Sequence, residues 1–249
     1  MSHKITDRET EPDEYITMLA SLGRTEERDH RLAVHEAGHA VCARLLGHAL
    51  GGATVDPGPG YGGLVWRERY VPASPEVRGD ASDVRECFSP LMPKAGEDHS
   101  AFADIYGNTY IRILELLSGR AAERMLIDGE PAWPADDLRQ ARELALLFCK
   151  SEQAIETFIA HCDVAARDLL MPYGDVVMVL STVLRTKRTL NGREIDQIIL
   201  EVETRKAMAI EHQRRAEWRK SELEAARFRA ECEPFPAARL RTISHDQAS

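Results

Sequence analysis

The sequence predicts a mainly α-helical protein with a short β-hairpin or small sheet directly after its first long helix. Apolar residues recur at helical spacing through most of residues 28–200, beginning with Leu32, Val34, Ala37, Val41 and Leu45. One long stretch, ALGGATVDPGPGYGGLVW (49–66), is too rich in glycine and proline to continue a helix. The chain has 249 residues, 43% of them hydrophobic, enough for one sizeable core with a small appendage.

Residues 1–27 are polar and acidic and read as a flexible N-terminal arm, with at most a short helix around Tyr15 to Leu19. The first long helix covers about 28–46, with Gly47 as its stop. Gly38 inside it costs up to about 1 kcal/mol relative to alanine, and a small residue there lets another segment come close. Two short strands follow, about Ala53 to Val55 and Leu64 to Trp66, joined by the Gly/Pro turn. Residues 67–98 carry four prolines and one short helix around Ala81 to Phe88. Helix returns at about Phe102, with Ile105, Thr109, Ile113 and Leu116 on one side, and runs on through LSGRAAERML. GEPAWP breaks it, and ADDLRQARELALLFCK (135–150) is helical again, with Asp136 and Asp137 in a first turn that favours acidic residues. Helices follow at about 152–171 and 174–188, and Asn191 with Glu194 forms an N-terminal capping pattern for the next. The charged segment 201–230 reads as a solvent-exposed helix, and 231–249 as a frayed end. The expected domains are thus an arm (1–27), a helical domain (28–200), and a charged helix and tail (201–249).

AVHEAGHAV (33–41) carries the chemistry. His35 and His39 stand one helical turn apart on one face, so both imidazoles reach a single ion, and Glu36 beside them can act on a water there. Two histidines leave a catalytic zinc site one protein ligand short. None of the other histidines makes the close HExxHxxGxxH continuation, so the third ligand comes from a distant helix. Glu123, Asp136 and Asp137 are the candidates.

Five segments appear in a telling order: HEAGHA (35–40), GGLVW (62–66), SGRAAE (118–123), DDLRQARELA (136–145) and LNGREI (190–195). Over about residues 28–200 the chain resembles the FtsH-like zinc peptidases, family M41. The resemblance implies the helical protease-domain fold of that family, zinc as cofactor, and hydrolysis of polypeptide substrates. It makes Asp137 the third metal ligand beside His35 and His39, with Glu36 as general base and Asp136 in the place of an asparagine. It leaves Glu123 in a helix-packing segment, as a salt bridge or cap. It further implies self-association, with a hexamer as the extreme. Family members carry a membrane anchor and an ATPase module; no GxxxxGK[ST] motif occurs here, so a separate ATPase would be the partner that unfolds substrates. The segment DPGPGYGG also departs from the family's usual PRG stretch. The alternatives to a peptidase are a catalytically silent binding or regulatory protein and a structural, zinc-stabilised helical protein.

With 32 Lys and Arg against 41 Asp and Glu, the net charge of −9 does not invite nucleic acid. No apolar leader is visible at the start and no run of eighteen apolar residues occurs, so no membrane insertion is expected. Cys42, Cys87, Cys149, Cys162 and Cys232 lack paired spacing and fit reduced thiols, which points to the cytoplasm. Cys42, close to the motif, reads as a small core residue.

Overall fold

A computed structural model describes residues 14–68, 94, 96–98 and 100–232. The expected helix at 81–88 and residues 1–13 of the expected arm lie outside them. Seven α-helices and three short strands are described: α1 (Glu14–Ser21), α2 (Glu26–Leu45), β1 (Leu50–Thr54), β2 (Leu64–Arg67), α3 (Ser100–Leu126), α4 (Ala135–Ala145), α5 (Glu152–Leu170), α6 (Gly174–Lys187), β3 (Thr189–Asn191) and α7 (Gly192–Cys232). The fold is mainly helical with a small open sheet. The chain divides into two compact units, residues 1–202 and 203–249.

In the first unit α2 is central. It packs against α3 and α6, and α3 in turn packs against α5. The core residues include Val34, Ala37 and Val41 of α2, Ile113 and Leu117 of α3, Ile159 and Ala166 of α5, and Leu180 and Leu184 of α6. Residues Glu152–Lys187 are long and apolar enough, by length and composition, to cross a membrane. In this fold many of their apolar residues form part of that core.

Local signals fix the ends of α2. Thr25 Oγ1 accepts from Arg28 N–H at 3.2 Å and caps its start. At its end Gly47 takes φ +83°, and the His48 and Gly47 amides donate back to Ala43 and Arg44 carbonyls. Between them Gly38 makes the close approach expected of it. A Cβ there would lie 2.6 Å from Ala122 Cβ and 2.7 Å from the Ser118 carbonyl oxygen, both on α3. At the start of α7, Asn191 Oδ1 accepts from Glu194 N–H and Glu194 Oε2 accepts from Asn191 N–H, each at 3.0 Å.

Of the expected hairpin or small sheet the structure has the sheet, and it adds two details to the expected strands. The order is β2–β1–β3, both pairs antiparallel, so a third strand completes the hairpin. Strand β1 also starts three residues early and runs through Gly51 and Gly52. These glycines end no strand, because the Trp66 indole on β2 fills the space where their side chains would stand. Helix α4, expected to reach Lys150, stops at Ala145. Residues 146–148 turn, Ser151 caps α5 by accepting from Ala154 N–H, and Phe148 packs edge-on against Phe102 and Tyr106.

A buried ionic knot joins α1, α2 and the β1 and β3 ends. Arg188 donates to both Asp29 carboxylate oxygens at 2.7 and 2.9 Å, and Arg24 Nη1 and Tyr15 Oη donate to the same group at 3.3 and 2.9 Å. Arg188 itself takes φ +67°, a conformation non-glycine residues adopt seldom, and its carbonyl accepts from Val55 N–H at 2.9 Å.

In the second unit the described part of α7 carries many charges. Glu211 pairs with Arg214 and Arg215, and Lys220 lies 4.0 Å from Glu224. Its residues are mostly exposed, in keeping with the expected solvated helix.

In an open helix Gly38→Ala would gain about 1 kcal/mol. Here the methyl group meets backbone and side chain of α3, so the substitution should instead cost about 1–3 kcal/mol. The readout is a lower denaturant midpoint at unchanged slope; a raised midpoint would refute the close contact. The Asp29 knot predicts a pH dependence. Burial opposes the charge on Asp29, but the bonds from Arg188, Tyr15 and Arg24 hold its carboxyl below the ordinary 3.8. A carboxylate with a depressed folded pKa stabilises above its unfolded pKa and loses that contribution as pH falls through the folded one. Stability should therefore drop below about pH 4. Asp29→Asn should cost about 1–3 kcal/mol at neutral pH, because Arg24 and Arg188 lose their shared carboxylate while keeping their bonds to Val55, Gly62 and Asp56, and it should flatten that acid limb. Denaturant titrations across the range check both.

Candidate metal centre

Helix α2 presents His35 and His39 on one face, with ring centroids 4.6 Å apart and planes at 82°. Their Nε2 atoms approach to 2.9 Å. Asp137, in the first turn of α4, brings Oδ2 to 3.1 Å from His35 Nε2 and 3.5 Å from His39 Nε2. Of the three carboxylates left open by the spacing, Asp137 completes the cluster. Asp136 turns away, accepting from Arg139 at 2.7 Å and Gln140 at 2.9 Å on its own helix. Glu123 stands behind the first imidazole, with Oε1 2.8 Å from His35 Nδ1. The salt bridge expected of Glu123 is thus present, and one of its partners is a histidine of the cluster.

The hydrogen bonds on the far side of each ring decide what the near side can bind. His39 Nδ1 lies 2.6 Å from the Glu115 carbonyl oxygen, which can only accept. That nitrogen therefore donates, and a neutral His39 presents a lone pair at Nε2. With Glu123 Oε1 accepting at 2.8 Å, the same tautomer follows for His35. With both rings in that neutral form, two imidazole lone pairs and one carboxylate oxygen converge on one point, and at 2.9 and 3.1 Å they need a proton or a cation between them. Such a group of acceptors fits a cation. Burial disfavours charge on His35, but hydrogen bonds with Asp137 and Glu123 prevail and push its pKa up to about 10. Asp137, despite its burial, is held far below the carboxylate range by His35 and His39. The pull that draws a proton to the apo cluster is the pull a metal ion would meet. Two histidines and an aspartate, each histidine backed by an oxygen acceptor, suit zinc.

Space for this centre comes from α3. A Cβ at Gly119 would lie 2.6 Å from the Nε2 atoms of both His35 and His39. Glu36 is buried next to the cluster. Burial raises its pKa, against the opposing charges of His39 and His35. Just before β2, Gly63 runs against it: a Cβ there would lie 2.5 Å from Glu36 Oε1. Cys42 is fully buried and its thiol is pushed up to about 12 by burial, which fits packing rather than reactivity.

Glu115 escapes a sequence reading. Its carbonyl orients His39, and its buried side chain accepts from Arg67 at 2.6 Å and Arg112 at 2.9 Å and pairs with His48. The one available signal is a charge inside the apolar run ILELL.

No family model matches the chain. No curated protein matches it either. The functional reading therefore rests on the residues of the centre and their order in the chain.

The purified chain should bind one zinc ion. Asp137→Ala should abolish tight binding, while Glu123→Gln should weaken it about 10- to 100-fold without changing stoichiometry. Elemental analysis and competition with a chromophoric chelator distinguish these cases, and loss of zinc in the Glu123 variant alone would overturn the ligand assignment.

Proposed function

We propose that this chain is a zinc-binding helical protein whose centre works as a metalloendopeptidase of the FtsH-like (M41) type, without an ATPase motif of its own. The observation that carries the hydrolytic reading is Glu36, an ionisable group buried beside a three-ligand cluster that does not itself need it. The ordered motifs from HEAGHA to LNGREI support the family assignment.

His35, His39 and Asp137 would hold the ion. When bound there, zinc supplies Lewis acidity and lowers the pKa of a coordinated water. Glu36 is the proton acceptor for the attacking water and then the donor to the departing amine nitrogen. Burial raises its pKa, the direction that favours a carboxylate able both to take up and to return a proton. Gly63 keeps side-chain bulk away from the Glu36 carboxylate. Substrates on this reading are extended polypeptides, because the centre has no means of opening a folded one. A homo-oligomer and a separate ATPase that delivers substrate are the partners the resemblance implies.

A second reading needs less. The cluster joins α2 to α4, and Glu123 ties it to α3, so an ion there cross-links the helices whether or not Glu36 acts. A metal-stabilised binding or regulatory protein follows from the cluster alone.

Zinc-loaded wild type should cleave unstructured peptides slowly without ATP and leave folded proteins intact. Glu36→Gln should retain zinc and lose about 10²- to 10⁴-fold in turnover. Equal turnover by both would mark a contaminant, and no turnover by zinc-loaded wild type across a broad peptide library would leave the second reading.

A further inference from the structure

We infer that Arg120 is a positioning residue for the third metal ligand: through Glu130 and Trp133 it anchors the loop between α3 and α4, and so aims the helix turn that carries Asp137. The inference rests on the His35–His39–Asp137 centre binding a metal.

Arg120 follows Gly119, the glycine that lies against both imidazoles, and its side chain is buried. One side of its guanidinium is spent within the helical core: Nη1 donates to both oxygens of Asp163 on α5, at 3.1 and 3.2 Å. The other side is spent on the loop. Nη2 donates to Glu130, and the guanidinium carbon lies 3.7 Å from the centre of the Trp133 ring. Arg124, one turn further on, repeats the grip, with Nη1 2.7 Å from Asp163 Oδ2 and Nε 3.3 Å from Glu130 Oε2.

Two features make this grip consequential. The N-cap of helix α4 is Pro134, which supplies no side-chain cap, so the approach to its first turn is left to contacts made by the preceding loop. Trp133 immediately precedes that proline, and Asp137 follows it by three positions. Trp133 is also 43% exposed, so its ring contributes little to the core while its face covers an arginine. Joining α3 to α5 requires only the Asp163 half of this arrangement. The Glu130 and Trp133 half acts on the approach to the metal ligand.

The test uses the full chain with Trp133→Ala, Trp133→Phe, Asp137→Ala and the double variant Trp133→Ala/Asp137→Ala. Zinc affinity is measured by chelator competition, and cobalt(II) absorption spectra report coordination geometry. Because Trp133 is partly exposed, Trp133→Ala should fold with an apo thermal midpoint near that of wild type. It should bind zinc about three- to fivefold more weakly, and its cobalt spectrum should move toward that of Asp137→Ala. Trp133→Phe should recover most of the affinity, since an aromatic face remains over Arg120. In the Asp137→Ala background the Trp133 change should cost nothing further. Wild-type affinity and spectrum in Trp133→Ala would overturn the inference, and so would an equal additional loss in the double variant. A wild type that takes up neither zinc nor cobalt would overturn the metal centre itself, and the inference with it.

Discussion

The distance between α2 and α3 controls the centre, and two glycines permit it. Gly38 lets the α2 backbone settle against Ala122 and the Ser118 carbonyl, while Gly119 leaves room on α3 for the two imidazoles. Side chains at either position would hold the helices further apart. The Glu115 carbonyl and the Glu123 carboxylate would then lose their distances of 2.6 and 2.8 Å to the histidine nitrogens. Each helical glycine costs about 1 kcal/mol in propensity, a small loss beside a misplaced metal ligand.

Around this contact three buried carboxylates each gather arginines: Asp29 with Arg24 and Arg188, Glu115 with Arg67 and Arg112, Asp163 with Arg120 and Arg124. Ion pairs of this kind, buried on the carboxylate side, add little net stability compared with well-packed apolar groups. Their common property here is location. Each joins elements distant in sequence: α2 to the α6–β3 junction, α3 to β2, and α3 to α5. They act as registration points, fixing which end meets which, while the apolar core supplies most of the cohesion.

Much of the helical frame is legible in the sequence because its apolar stripes are long and its caps are local. Gly47 and the Asn191–Glu194 box are read from neighbours a few residues away, and both are realised. The histidine pair is legible for the same reason, since a spacing of four becomes proximity as soon as a helix forms. Asp137 is harder. Its closeness to His35 depends on the packing of α4, and three carboxylates satisfy the spacing equally until that packing is known. Strand β3 has only Leu190 buried among its three residues, too short a pattern to register as an alternation. Strand β1 is masked by a diglycine that reads as a break until Trp66 is seen across it. The acceptor for His39 cannot be read at all, because it is a main-chain atom, and every residue type has one.

That last feature makes the two histidines unequal under mutational drift. The acceptor behind His35 is a side chain, so a single codon change at position 123 can weaken, lengthen or delete it, and metal affinity becomes adjustable through that route. The acceptor behind His39 is the carbonyl of residue 115, retained whichever amino acid stands there. As long as α3 keeps its path, His39 keeps its tautomer. Variation among descendants of this chain can therefore tune one ligand while the other is inherited with the backbone, and the grip on metal can change by degrees without the centre being lost.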